Sequence, residues 1–149
     1  MPDVSIIVTT YNIEAYVEEC LESVAAQTLQ DLEVLVVDDG SSDSTPEKVT
    51  AFCARDPRFV PVLLGTNSPG GVATAANAGL DRATGRWVGF VDGDDFVEPR
   101  MFERLVDAAA RRPDGRVRRL LRRGAGHHPA RRDGHRDRRR PPAAQRHEE

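Results

Sequence analysis

Lysine is nearly missing from this 149-residue chain: Lys48 is the only one, and every other basic side chain is arginine. Cysteine is scarce too, limited to Cys20 and Cys53. Two thiols cannot build a dense disulfide framework, which excludes the small secreted scaffolds and favours a reducing compartment. The opening Met-Pro-Asp-Val-Ser has no basic stretch leading into an apolar one, so it does not read as a secretory signal. Long hydrophobic runs are also lacking, since none approaches the ~20 residues that span a bilayer. These absences predict a cytoplasmic protein, or one at the cytoplasmic membrane face. Aromatic residues make up 5% of the chain with none beyond Phe102, and histidine is absent before His127.

Those two gaps mark a join. Residues 1–110 carry 7 basic and 19 acidic side chains, a formal charge of −12. Residues 111–149 carry 14 basic side chains, all arginine, and 5 acidic ones, a charge of +9. The overall −3 therefore describes neither part. About 110 apolar-rich residues can bury one modest core but not two. An acidic first part is a poor general binder of nucleic acid, so that partner is expected only through the arginine-rich part.

Along residues 1–110, strand and helix patterns alternate. Val4–Thr9 is a β-branched apolar run that reads as a buried strand. Asn12 then stands where a helix cap would, and Ile13, Tyr16, Val17, Cys20, Leu21 and Val24 fall on one helical face. Leu32–Val37 is a second strand, and Ser44 or Thr45 can cap a second helix with Pro46 in its first turn. Phe59–Leu64 is a third strand, and Pro61 in it suggests an edge or a short ladder. Thr66–Gly71 is a turn-rich loop and Val72–Ala83 a helix of small residues. Trp87–Val91 is a fourth strand, and Glu98-Pro99 opens a last helix. This order predicts an α/β fold with a mostly parallel sheet covered by helices on both faces.

In an open α/β sheet, ligands bind outside the carboxyl ends of the strands. Three polar groups fall there: Thr9–Asn12, Asp38–Ser41 and Asp92–Asp95. Asp38, Asp39, Asp92, Asp94 and Asp95 would then face one crevice. Carboxylates that close repel one another unless a cation sits among them, and their oxygens suit Mg²⁺ or Mn²⁺, which share such sites with substrate phosphates. The residues thus predict a metal-assisted site for a phosphorylated, nucleotide-like ligand. Blander readings stand beside this one. Asp-Gly-Ser also favours turns and caps, an acidic loop can be merely solvated, and Tyr11 can simply pack. Cys20 and Cys53 sit on apolar helix faces and read as core thiols.

The ordered set VSIIVTTYN, LESVAAQT, LEVLVVDDGSSDST, GGVATAANAGL and GRWVGFVDGDD resembles the start of a family 2 glycosyltransferase of the GT-A fold, over about residues 3–110. The resemblance implies nucleoside contacts at Thr9 and Tyr11. It implies a hydrogen bond from the base, usually uracil, to Asp39, with Asp38 supporting the loop. It places Asp92 near the ribose and a divalent metal (Mn²⁺ or Mg²⁺) on Asp94, with Asp95 orienting that loop. The implied reaction moves a sugar from a nucleotide diphosphate donor, UDP-linked by expectation, to an acceptor hydroxyl with inversion. The acceptor, whether glycan, lipid or small molecule, is not specified. Two departures stand out. Ala76 occupies the place of an arginine that the family often carries, and no stretch after Asp95 matches its general base and acceptor segment. The expected fold is therefore a truncated GT-A domain, whose missing sheet region would leave an open edge and permit homo-oligomers.

From Arg112 the periodicity stops. Val117, Leu120 and Leu121 are the only aliphatic residues larger than alanine in the remainder, too few to offset ordering entropy, so residues 111–149 are expected to be disordered. A basic arm for nucleic acid or anionic lipid would make this chain a non-catalytic binding protein, and a solvated linker is the second reading. The favoured one is sequence read out of frame, because arginine, glycine, proline, alanine and histidine without lysine is what GC-rich coding gives in a wrong frame. A nucleotidyltransferase is disfavoured, since Thr9–Asn12 lacks both a glycine-rich phosphate loop and a basic residue. Resequencing the gene past the Arg111 codon is expected to reveal a frame that restores apolar periodicity; finding none would refute the frame reading.

Overall fold

The computed structural model describes residues 1–111. The expectation of disorder beyond them lies outside the described residues. Four strands alternate with four helices: β1 Val4–Thr10, α1 Val17–Ala25, β2 Leu32–Asp38, α2 Thr45–Cys53, β3 Phe59–Leu63, α3 Val72–Leu80, β4 Trp87–Asp92 and α4 Met101–Ala110. All strand pairs are parallel and the sheet order is β3-β2-β1-β4. The chain walks outward from β1 through β2 to β3, then returns to the other side of β1. The order therefore reverses at β1, and there the strand ends open a crevice.

Strand alternation sends Val4, Ile6 and Val8 to one face. Val34, Val36 and Phe59 join them against Val17, Cys20, Leu21 and Val24 of α1, Val49 and Phe52 of α2, and Phe102 of α4. Burying one such aliphatic or aromatic side chain contributes about 1.5–3 kcal/mol, so this layer dominates the stability. The other face carries Ile7, Leu35, Val37 and Val62 under Ala75 of α3. Here α3 approaches closely, because Gly79 has no side chain: a Cβ there would lie 2.6 Å from Ile7 Cγ2.

Helices cover both faces as expected, and the cover thins at β4. Helix α3 lies over β1 and β2, while Val88 and Phe90 on the same face of β4 keep 40% and 37% of their surface in solvent. A correction concerns Asn12, which caps no helix. It adopts a left-handed backbone with φ 49°, and α1 begins only at Val17. Asparagine tolerates that conformation better than most residues. At α2, Pro46 sits in the first turn as expected, but neither Ser44 nor Thr45 supplies a side-chain cap. Asp43 Oδ1 instead accepts a hydrogen bond from the Thr45 amide at 2.9 Å.

Both cysteines are free and buried. Burial, reinforced by the nearby Asp95, Asp94 and Asp92 carboxylates, pushes the Cys20 thiol up to about 12. Burial pushes Cys53 up to about 11. At pH 8 both should stay protonated and resist iodoacetamide in the native chain, yet react fully in guanidinium; rapid native labelling would contradict the packing described. Phe102→Ala, which empties a site 2% exposed, should cost about 3–5 kcal/mol in chemical denaturation.

Candidate functional site

The parallel register sets the geometry. Thr10 of β1 lies level with Asp38 of β2, and Thr9 lies level with Asp92 of β4. Three loops therefore leave the sheet side by side, and around them opens a cavity of about 780 Å³. That volume suits a ligand of drug or nucleotide size, for which ~300–1,000 Å³ is usual. Thr9, Tyr11, Asp39, Asp92 and Asp94 line it together.

Asp38 does not line the cavity, so the five carboxylates do not all face one crevice; its place is at the base of the loop. Its side chain is 1% exposed and turned into the loop base. Asp38 Oδ1 accepts from the Thr10 hydroxyl at 3.0 Å and from the Ser41 hydroxyl at 2.6 Å, while Oδ2 accepts from the Ser41 amide at 2.9 Å. Three donors offset the desolvation of a buried carboxylate. Ser41 Oγ in turn accepts from the Asn12 amide at 2.9 Å, and Asn12 Oδ1 accepts from the Ser42 amide at 2.8 Å. A continuous polar chain thus ties the loop after β1 to the loop after β2. Tyr11 sits inside this frame with 47% of its surface exposed.

Further out the two loops are tied again. The Glu14 carboxylate accepts from the Ser44 hydroxyl at 2.6 Å and from its amide at 3.0 Å, and these bonds hold its pKa below the usual carboxylate range. Burial pushes Asp43 up, but donors from the Thr45 hydroxyl and amide and the Glu14 amide outweigh it, so its pKa is also lowered.

Asp39, 3% exposed, points the other way, into the cavity. Its Oδ1 accepts from the Ser68 amide at 3.1 Å, and its Oδ2 receives a long contact of 3.4 Å from Asn67 Nδ2. Each carboxylate oxygen has two lone-pair sites, so Asp39 keeps acceptor capacity toward a ligand. Asn67 and Ser68 of the turn-rich Thr66–Gly71 loop also line the cavity. The signal was present: a polar amide and hydroxyl follow a third strand at the same sheet edge. Gly40 explains the close approach, because a Cβ at its φ of 73° would lie 2.3 Å from the Thr66 carbonyl carbon.

Just after β4, the Gly93 amide donates to the Thr9 carbonyl at 2.9 Å. A Cβ on Gly93 would meet Ile13 Cδ1 at 2.6 Å and Thr9 O at 2.8 Å, so the residue between Asp92 and Asp94 has to be glycine. Asp94 is exposed at the rim and Asp95 lies outside the lining. Three of the five expected carboxylates, Asp39, Asp92 and Asp94, therefore line the crevice, and among the described residues no lysine or arginine lines it with them. Among the described residues no group of three or more His, Cys, Asp or Glu forms a metal cage. Asp92 and Asp94 nevertheless fit a hard divalent cation, which binds through one or two carboxylates when substrate oxygens complete its shell.

Known proteins resemble this chain in sequence and fold. The glycosyltransferase EpsJ of Bacillus subtilis (strain 168), itself uncharacterized, is 44% identical over 109 residues, which cover 73% of this chain and 31% of that protein. The chain thus spans about a third of EpsJ. The crystal structure of S. aureus TarS 1–349 in complex with UDP-GlcNAc superposes with a TM-score of 0.62 at 42% identity, covering 74% of this chain and 30% of that one. The mannosyltransferase PcManGT from Pyrobaculum calidifontis, in complex with GDP-Man and Mn²⁺, gives a TM-score of 0.57 at 36% identity, covering 64% of this chain and 28% of that one. The sheet and helices are those of a GT-A fold. The family model for glycosyl transferase family 2 matches residues 5–147, and to that family this chain belongs.

Proposed function

We propose that residues 1–111 hold the donor of a glycosyl transfer, a nucleoside diphospho-sugar of the UDP type. The carrying observation is the single cavity that collects Thr9, Tyr11, Asp39, Asp92 and Asp94 where the strand order reverses. In this reading Asp39 accepts a hydrogen bond from the base, Tyr11 and Thr9 contact the nucleoside, and Asp92 lies by the ribose. Ser68 holds the Asp39 carboxylate in place, and Asp38 acts as a positioning residue through Thr10 and Ser41. The UDP-GlcNAc and GDP-Man complexes of the neighbours support a nucleotide sugar as ligand.

Charge supports a cation. A diphosphate brought beside Asp92 and Asp94 adds negative charge to negative charge, with no basic side chain among the described residues lining the cavity to offset it. Asp94 would hold a Mn²⁺ or Mg²⁺ ion, which when bound neutralises charge on the departing diphosphate. An acceptor hydroxyl attacks the anomeric carbon from the face opposite the diphosphate. The new carbon–oxygen bond forms as the old one breaks, the configuration inverts, and the hydroxyl proton passes to a base. No described residue is assigned as that base, so transfer by this chain is expected to be weak or absent while donor binding remains.

Calorimetry of the 149-residue chain with UDP is expected to show binding that depends on Mn²⁺. Asp39→Ala and Asp94→Ala should each weaken it at least about tenfold, about 1.4 kcal/mol. No binding, or binding untouched by both changes, refutes the assignment. Asp38→Ala separates positioning from contact. It strands the Ser41 amide and two hydroxyls, so it should lower stability by about 1–3 kcal/mol as well as affinity. The exposed Asp94→Ala should leave the melting temperature unchanged. Equal melting of the two variants would remove the positioning role of Asp38.

A further inference from the structure

A polar ridge runs along α1 through an otherwise apolar layer. Cys20, Ser23 and Gln27 lie three and four residues apart, so they share one side of the helix and its C-terminal end. Together they follow the chain from the end of β4 to the start of α4. Cys20 Sγ donates weakly to the Asp92 carbonyl at 3.7 Å, where the chain enters the loop that carries Asp94. Ser23 Oγ accepts from the Val97 amide at 3.0 Å, where the chain leaves that loop. The Ser23 hydroxyl has one proton, and Cys20 O takes it at 2.7 Å, so toward Val97 it can only accept. Gln27 is 1% exposed, and its Nε2 donates to Glu98 O at 2.8 Å while Oε1 accepts from the Phe102 amide at 3.1 Å. The second bond serves a first-turn amide of α4, whose N-cap residue Arg100 makes no side-chain cap. Thr28 adds a bond from its amide to Pro99 O at 2.8 Å.

These bonds bracket residues 93–96. Inside the bracket the Gly93 amide donates to Thr9 O and the Asp95 amide to Asp92 O, both at 2.9 Å. Asp94 itself is exposed, so packing of its side chain does not fix it and the backbone on either side must. We propose that Ser23 and Gln27 are positioning residues for the metal-binding carboxylates. By pinning residues 97–102 to α1, they hold Asp94 where a divalent cation is met. The inference rests on the donor-site reading and says how that site keeps its metal side in shape. A hard cation held by one or two carboxylates tolerates little displacement of either. A loop released at Val97 must be ordered again whenever the ion binds, and that entropy is subtracted from the affinity for the ion. Removing the support behind a metal ligand typically lowers metal affinity about 10–100-fold. The nucleoside side of the cavity is held by other ties. Ser68 fixes Asp39, and Ser41 and Ser42 fix Asn12 beside Tyr11.

The test uses the full 149-residue chain. Ser23→Ala removes the acceptor of the Val97 amide and keeps the helix, since alanine is a strong helix former. Without any ligand, amide exchange followed by NMR should quicken at least tenfold at Gly93, Asp95 and Val97, and stay unchanged at Val34 and Val36 of β2. In calorimetry, the gain in UDP affinity that Mn²⁺ confers should fall about tenfold, while uridine, followed by NMR shifts, binds as it does to the parent. Ser23→Thr, which keeps the hydroxyl, should restore both. Gln27→Met keeps the volume and strips the bonds, and should act in the same direction with a lower melting temperature. Unchanged exchange in Ser23→Ala, a Mn²⁺ gain equal to the parent's, an equal loss of uridine and UDP binding, or threonine no better than alanine would overturn the proposal. A parent whose UDP binding ignores Mn²⁺ removes the donor-site reading along with it. A parent that needs Mn²⁺, beside a Ser23→Ala variant that gains as much from it, sinks the positioning role alone.

Discussion

The Asp38 carboxylate is the constraint on which the strand-end region depends. A negative group 1% exposed is tolerable only if its lone pairs are filled, and Thr10 and Ser41 fill them. Satisfying it forces the loop after β2 into one path. That path fixes Gly40 against Thr66, sends Asp39 toward the cavity, and offers Ser41 to Asn12. The loop after β1 is thereby drawn to the same place, and Tyr11 is presented at its tip. One buried charge thus organises three loops that otherwise share no secondary structure.

Much of this was legible in the sequence, and the parts that were not have physical reasons. The strands followed from unbroken apolar runs such as Ile6–Val8 and Leu35–Val37, because a strand buried on both faces cannot alternate. Pro61 marked an edge because it lacks a donor. Composition alone does not separate Asp38 from Asp39; the resemblance gave Asp38 the loop-supporting part, and the register with Thr10 is the physical reason that it turns inward. Asn12 looked like a cap because asparagine serves both caps and left-handed turns, and the choice rested on Ser41 and Ser42, thirty residues away. Asn67 and Ser68 were missed for the same reason: their role exists only opposite Asp39. The exposed face of β4 was likewise beyond pattern reading, because Val88 and Phe90 look like any buried pair.

The charge distribution gains meaning from the same geometry. Residues 1–110 carry −12, yet only Asp39, Asp92 and Asp94 bring theirs to the cavity. Other carboxylates are absorbed locally, as Glu33 is by donors from Ser5, Thr84 and Gly85. Net charge therefore says little about a site, whereas three carboxylates gathered with no cation among the described lining residues say a good deal.

The Ser68 contact to Asp39 has a consequence for the speed and selectivity of ligand capture. A free aspartate samples several rotamers, and a ligand that needs one of them must freeze the others out. Here the amide of a neighbouring loop has already done so during folding. The carboxylate waits in place, so recognition resembles a key meeting a cut lock rather than a hand closing on an object.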